Sequence, residues 1–153
     1  MSLFFVAVLA ALACVACSVE RVRKVLAVAP AVEIELAEAL REAEATGLDR
    51  DVAIDQVAFE ADFALSRWKP VPRMAARISS SCGFLLAAAQ LREILAHLGD
   101  QPLTEAGEPL VIGALQIVAA ALAGTSLCLA LGREAERARR LEAEHIDSRL
   151  RAA

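Results

Sequence analysis

The chain contains no tyrosine, and aromatic residues make up only 4% of it. Strands favour aromatic and β-branched side chains, so this scarcity disfavours a β-sheet protein. The 58% of residues that are hydrophobic are dominated by alanine, leucine and valine. Alanine and leucine lose little side-chain entropy in a helix. The composition therefore predicts an all-α protein.

Histidine is also scarce, since His97 and His145 are the only two. They lie in different segments of the chain, and no Ser-His-Asp or Cys-His site can be assembled around either of them. No glycine-rich phosphate loop is present. We therefore expect no enzyme activity and no cofactor. The mild net charge of −4 gives no support for nucleic-acid binding.

All four cysteines lie in apolar segments, and no histidine lies close to them in sequence. They are Cys14, Cys17, Cys82 and Cys128. The Cys14-x-x-Cys17 pair has the spacing of a redox motif or of half a zinc site. A free cysteine in an apolar segment more often packs as a small hydrophobic residue. We expect packing and no metal.

Three apolar segments are candidates for transmembrane helices: residues 2–19, 78–98 and 110–132. The first has 18 residues without a charge, and its helical length of about 27 Å is close to the thickness of the hydrocarbon core. The third has 23 uncharged residues and is the clearest. The middle segment has only 14 uncharged residues. It can span only if its flanking arginines lie at the two interfaces.

Positive charge is distributed asymmetrically about these segments. If all three cross the bilayer, 15 of the 16 lysines and arginines lie on one side, and Arg92 is the exception. Basic residues in short flanking segments are retained in the cytoplasm, so the N-terminus is predicted outside and the C-terminus inside. A secretory or lipoprotein leader would carry a basic residue before the apolar run, and Met1-Ser2 has none. We therefore expect a retained anchor.

The predicted organisation is an all-α integral membrane protein. Residues 1–30 form the first span and its cytoplasmic exit, 31–70 a cytoplasmic helical hairpin, 71–132 the second and third spans with a short outer loop at 99–109, and 133–153 a charged cytoplasmic helix. Within the hairpin, Gly47 is expected to end the first helix. Asp49 is expected to cap the second, which runs through Trp68. Its apolar face comprises Ile54, Val57, Ala58, Ala61 and Leu65.

Small residues recur at every fourth position of the second and third spans. They are Ala75, Ser79, Gly83 and Ala87, and then Ala120, Gly124, Cys128 and Gly132. In lipid, small residues allow close approach of helix backbones. Polar side chains in the spans could line a wet path or hold a partner, although serine and threonine also bond to their own helix. The candidates to face a pore or partner are Ser79, Ser80, Ser81, Gly83, Ala87, Gln116, Ala120, Gly124 and Thr125.

Two local patterns stand out beside the order of the predicted parts. Residues 71–77, Val-Pro-Arg-Met-Ala-Ala-Arg, lead into Ser-Cys-Gly-Phe-Leu-Leu at 81–86, and residues 119–131 are followed by Arg133-Glu134. These features resemble the MotA/TolQ/ExbB family of ion-channel motor subunits. The first pattern is similar to the family's arginine-flanked entry into a Gly-Leu-Leu-Gly-Thr-Val segment, and the second to its small-residue third span and charged helix. The resemblance implies a pentamer around single-span partner helices in the bacterial inner membrane.

The chain departs from the family pattern at the pore-lining threonines. Aligning Gly83 with the first glycine of the family motif places Leu86 at the second glycine and Ala87 at the threonine. Ala120 and Ala121 stand where the third span carries threonines. The cytoplasmic part is also short. The resemblance therefore implies a divergent and short member.

Two functions remain open from the sequence. The first is an oligomeric inner-membrane subunit that packs around single-span partner helices, in contact with the lipid bilayer, and either conducts ions or scaffolds the partner. The alternative is a non-conducting structural or assembly subunit of another membrane complex, with the acidic hairpin as its docking surface. No Asp, Glu, Lys or His lies deep in a span, so the chain alone provides no titratable group for a proton relay.

Overall fold

The structure is a computed structural model that describes residues 3–47, 49–67, 69–97 and 103–152. Within these ranges the chain is helical and contains no strand, which confirms the prediction of an all-α protein. The helices are α1 (Leu3–Leu26), α2 (Val28–Thr46), α3 (Arg50–Arg67), α4 (Val71–His97) and α5 (Leu103–Ala152).

The helices form two compact units. The apolar unit consists of Met1–Val19 and Val71–Leu131, and the polar unit consists of Glu20–Pro70 and Gly132–Ala153. Helices α1 and α5 contribute to both units. Each of them leaves the apolar unit close to the residue at which the sequence places the end of a span.

Two helical stretches are long and apolar enough to cross a membrane. One lies within Leu3–Thr46 and the other within Val111–Ser148. Only 22% and 28% of their apolar windows are buried inside the protein, whereas the core helix of a soluble protein would be mostly buried. They correspond to the first and third predicted spans. Helix α4, the middle segment, is long enough at 27 residues but is not among the stretches of the described chain that are apolar enough to span.

Local sequence explains where the first three helices begin and end. Pro30 is the third residue of α2, where its missing N–H has no intrahelical acceptor, while its ring prevents α1 from continuing unbroken. Gly47 adopts φ 69° and its N–H bonds to Ala43 O. Asp49 accepts a hydrogen bond from the N–H of Asp51 at 3.3 Å. The predicted roles of Gly47 and Asp49 are therefore confirmed, while Trp68 lies outside the described residues.

The core of the polar unit joins α2 and α3 to the ends of α1 and α5. The buried side chains are Val25, Val32, Leu36, Val57, Ala61, Leu65 and Ile146. The predicted apolar face of α3 supplies three of them, and Ile54 packs beside them. Helix α3 is therefore held by the face that its three- and four-residue spacing predicts.

Helix α5 is one continuous helix of 50 residues, which confirms the prediction that the third apolar segment and the charged C-terminal segment form one long helix. Its buried residues keep one spacing over most of this length. They are Ala114, Ile117, Ala121, Cys128, Ala135 and Ile146. Steps of three and four residues, or sums of such steps, separate them, so a single stripe faces inward along the helix.

The prediction of an outer loop at 99–109 is wrong for residues 103–109. Helix α5 already begins at Leu103 and includes Pro109; residues 99–102 lie outside the described part of the chain. Proline fixes φ in the helical range. Leu103, Glu105 and Ala106 favour a helix, so Gly107 and Pro109 do not make the segment a loop.

Candidate functional site

Side-chain hydroxyls link α4 to α5 in the apolar unit. Ser79 is 2% exposed, and its Oγ donates to the carbonyl of Ala121 at 3.1 Å. Thr125 Oγ1 lies 2.8 Å from Ala121 O and 3.3 Å from Ala76 O, so its hydroxyl can donate to either helix. These contacts satisfy both hydroxyls within one chain.

Glycines mark the closest approaches between helices of this unit. A Cβ on Gly83 would overlap the Cβ of Ala121. A Cβ on Gly124 would lie 2.7 Å from Ala11 Cβ and 2.8 Å from Ser79 Oγ. Gly124 therefore sits where α1, α4 and α5 meet. Close backbone approach of this kind is how helices associate in lipid.

The structure brings part of the predicted site together, inside a single chain. Ser79, Gly83, Ala87 and Gly124 are buried among its own helices, and Ser80, Ala120 and Thr125 are partly buried. Ser81 and Gln116 are exposed. Of the nine candidates, these last two present polar atoms most openly to a partner or a pore.

The thiols of this unit are free. Cys14 and Cys128 are buried in one cluster with Ala75 and Ala76, while Cys17 is exposed and Cys82 is partly buried. Among the described residues, no three His, Cys, Asp or Glu side chains come together as a cation site. Cys14 and Cys128 act in packing.

A buried cation lies in the polar unit. Arg21 is 4% exposed, and its Nη2 donates to Leu65 O at 2.9 Å. Leu65 is in the last turn of α3, where carbonyls have no intrahelical partner and form the negative end of the helix dipole. Arg21 therefore caps α3.

The groups around Arg21 compensate only in part for the burial of its positive charge. Its Nη1 is buried and has no hydrogen-bond partner among the described residues. Burial lowers the pKa of the Arg21 guanidinium, and the negative charge of Glu136 opposes that shift. Glu136 itself bonds to Arg139 at 3.1 Å, and this hydrogen bond lowers the pKa of the Glu136 carboxyl. Arg21 is thus held by one carbonyl and by the field of a carboxylate that is bonded elsewhere.

We expect the substitution Arg21→Met to lower the free energy of unfolding of the polar unit by about 1.5–3 kcal/mol, the usual contribution of a hydrogen bond to a charged group. Chemical denaturation of the full-length protein, followed by circular dichroism, measures this. Arg23→Met is the matched control, because Arg23 is exposed and its loss removes the same charge from the same helix. Equal destabilisation by the two substitutions would contradict the capping role.

Arg21 is one of 16 lysines and arginines, and its charge alone does not indicate that it is buried. A signal was present, because the buried residues of α1 follow one heptad stripe. They are Ala7, Ala11, Cys14, Ser18, Arg21 and Val25. Arg21 falls on this inward stripe and Arg23 does not, so the periodicity distinguishes the two arginines.

In comparisons with known proteins, no family model, curated protein or solved structure matches the chain.

Proposed function

We propose that this protein is an oligomeric inner-membrane subunit that scaffolds single-span partner helices. The observation that carries the proposal is the arrangement of side-chain size in the apolar unit. Among its described residues the buried apolar side chains, with Ile117 as the large exception, are mostly small: Ala7, Ala11, Ala75, Ala76, Ala87, Ala114 and Ala121. The exposed ones are large and apolar: Phe5, Leu9, Leu12, Ile78, Phe84, Leu85, Leu95, Leu115, Leu122 and Leu127. In water this distribution would be costly, whereas in lipid it is expected.

With α1 and α5, helix α4 completes the three spans of this proposal. Its 27 residues extend for about 40 Å, and Ile78, Leu85 and Leu95 are each more than half exposed. Arg77 and Arg92 are exposed near its two ends. Long arginine side chains can reach the polar interfaces from such positions. Lipid contact would satisfy the apolar side chains that the protein itself leaves uncovered.

Scaffolding fits the described contacts better than conduction does. An ion path needs polar groups that are free to face it. Ser79 and Thr125 instead bond to backbone carbonyls of their own chain. Ser81 and Gln116 remain as polar contacts for a partner. The likeness to MotA/TolQ/ExbB subunits adds the pentamer and the single-span partner to this proposal.

The decisive experiment is the particle symmetry of the detergent-purified protein, determined by electron microscopy and native mass spectrometry. We expect a fivefold ring with a central cavity lined by α4 and α5. A monomer would exclude the ring. Ion flux in liposomes, with and without a partner that carries a transmembrane Asp, separates the two roles, since scaffolding predicts no flux in either case.

Whether the chain has two or three spans can be tested by the sides of the membrane on which its two ends lie. Three spans place the two ends of the chain on opposite sides of the membrane, whereas two spans place them on the same side. We expect a periplasm-active reporter to work only at the N-terminus and a cytoplasm-active reporter only at the C-terminus, as the charge asymmetry requires. Activity of one reporter at both ends would show that α4 does not cross.

A further inference from the structure

We propose that the groove between α2 and α3 in the polar unit binds a basic amphipathic helix of a partner protein. This groove has a volume of about 440 Å³. Its walls come from the end of α1, the first turns of α2 and the middle of α3. The lining includes the aromatic rings of Phe59 and Phe63 on α3 and the carboxylates of Glu35 and Glu60.

Two phenylalanines give the groove an apolar wall. Phe59 is 74% exposed and Phe63 is 58% exposed, although both lie four residues apart on a helix that buries its opposite face in the core. Burial of a phenylalanine ring is among the larger favourable terms in association. Adjacent rings in a concave apolar site are a common feature of protein-binding surfaces. The groove is therefore a surface at which a partner would gain apolar contact.

The charge around the groove selects the partner. The segment Glu20–Pro70, which supplies every wall of the groove, contains eleven acidic and seven basic residues, a net charge of −4. The charged residues that line the groove itself are Glu35, Glu60 and Lys24. Such a surface repels an anionic lipid headgroup, and it equally repels the same hairpin of a second copy. Lysine and arginine on the partner would complement it.

The shape of the groove indicates a helical occupant. Its walls are short stretches of two helices, residues 28–35 of α2 and 59–64 of α3, about 12 Å and 9 Å long. A groove between two helices receives an amphipathic helix, which inserts apolar residues at positions i, i+3 or i+4 and i+7. The partner segment that fits is therefore about two turns of a helix, with an apolar stripe flanked by basic residues.

Binding can be tested with the full-length protein in nanodiscs of zwitterionic phosphatidylcholine. The probe is a synthetic 18-residue helix of leucine and lysine with a fluorescent label, followed by fluorescence anisotropy. The control probe has the same leucine stripe with glutamate in place of lysine. Empty nanodiscs measure the binding to lipid. We expect the lysine helix to bind the protein at least tenfold more tightly than the glutamate helix, and more weakly as salt concentration rises.

Two variants locate the bound helix. Phe59→Ala combined with Phe63→Ala should weaken binding at least tenfold, and Glu35→Gln combined with Glu60→Gln should reduce both the affinity and its salt dependence. Ile34→Ala is the matched control, because Ile34 is 62% exposed on α2 but does not line the groove. Unchanged thermal unfolding would show that the variants still fold.

Three results would overturn the proposal. One is equal binding of the lysine and glutamate helices, and another is equal binding to empty nanodiscs. The third is a change of oligomeric state on substitution of Phe59 and Phe63, because that result would assign the groove to a second copy of the chain. The first two results do not depend on ring symmetry or on the number of spans, so the groove and the proposed function can fail independently.

Discussion

The substitution Gly83→Ala is expected to destabilise the contact between α4 and α5. The new Cβ would overlap the Cβ of Ala121, and both atoms are attached directly to helix backbones, so neither can rotate away. Overpacking of this kind typically costs about 1–3 kcal/mol. Alanine also gains up to about 1 kcal/mol of helix propensity over glycine. A net loss would therefore be a lower bound on the steric cost.

The reciprocal change makes this prediction specific. In the double variant Gly83→Ala with Ala121→Gly, the overlapping methyl group moves from one helix to the other, and the two changes in helix propensity cancel. We expect its thermal unfolding in detergent to return close to that of the wild type, whereas each single variant is less stable.

Ala88→Val is the steric control, because Ala88 lies on the exposed side of α4. Additive effects of the two single substitutions would contradict a direct contact between residues 83 and 121, since residues in contact couple.

Much of the fold follows from local sequence. Gly47 ends α2 because glycine adopts the left-handed conformation at little cost, and Asp49 begins α3 because its carboxylate accepts a bond from a free backbone N–H. The apolar periodicity of α3 predicts its buried face. These signals operate over one or two turns, and each requires only the identity of its nearest neighbours.

Features that depend on the assembled helices could not be predicted in the same way. The stripes of small residues in α4 and α5 predict close packing but do not specify that Gly83 meets Ala121 and that Gly124 meets Ala11. Phe59 and Phe63 were missed because they lie outside the apolar face of α3. Their exposure becomes informative only after the core has been identified, since an exposed ring is then a ring without a partner.

Of the three proposed spans, α4 has the shortest uncharged stretch, because two arginines limit it to 14 residues. The structure adds which side of the helix is uncovered. Leu85 is near the middle of α4 and is 71% exposed within the chain, so this side chain contacts lipid, another protein or water. A test at this one position therefore distinguishes a spanning helix from a solvated one.

We expect Leu85→Arg to prevent stable insertion of α4. Arginine at the centre of a transmembrane helix costs about 2.5–3.5 kcal/mol on insertion scales, which is enough to leave most chains incorrectly inserted. The measurement is the fraction of protein that resists alkaline extraction of membranes, together with the location of a C-terminal reporter. Extractable protein or a displaced C-terminus is the expected result.

The control for this substitution lies on the same helix. Met74 is 59% exposed and stands between Arg73 and Arg77 near the predicted cytoplasmic end of α4. Met74→Arg adds the same side chain, yet its guanidinium can reach the interface, and its charge lies on the side that already retains basic residues. It should therefore insert as the wild type does. If Leu85→Arg also inserted normally, the middle of α4 would lie outside the hydrocarbon core, and the chain would retain only the spans of α1 and α5.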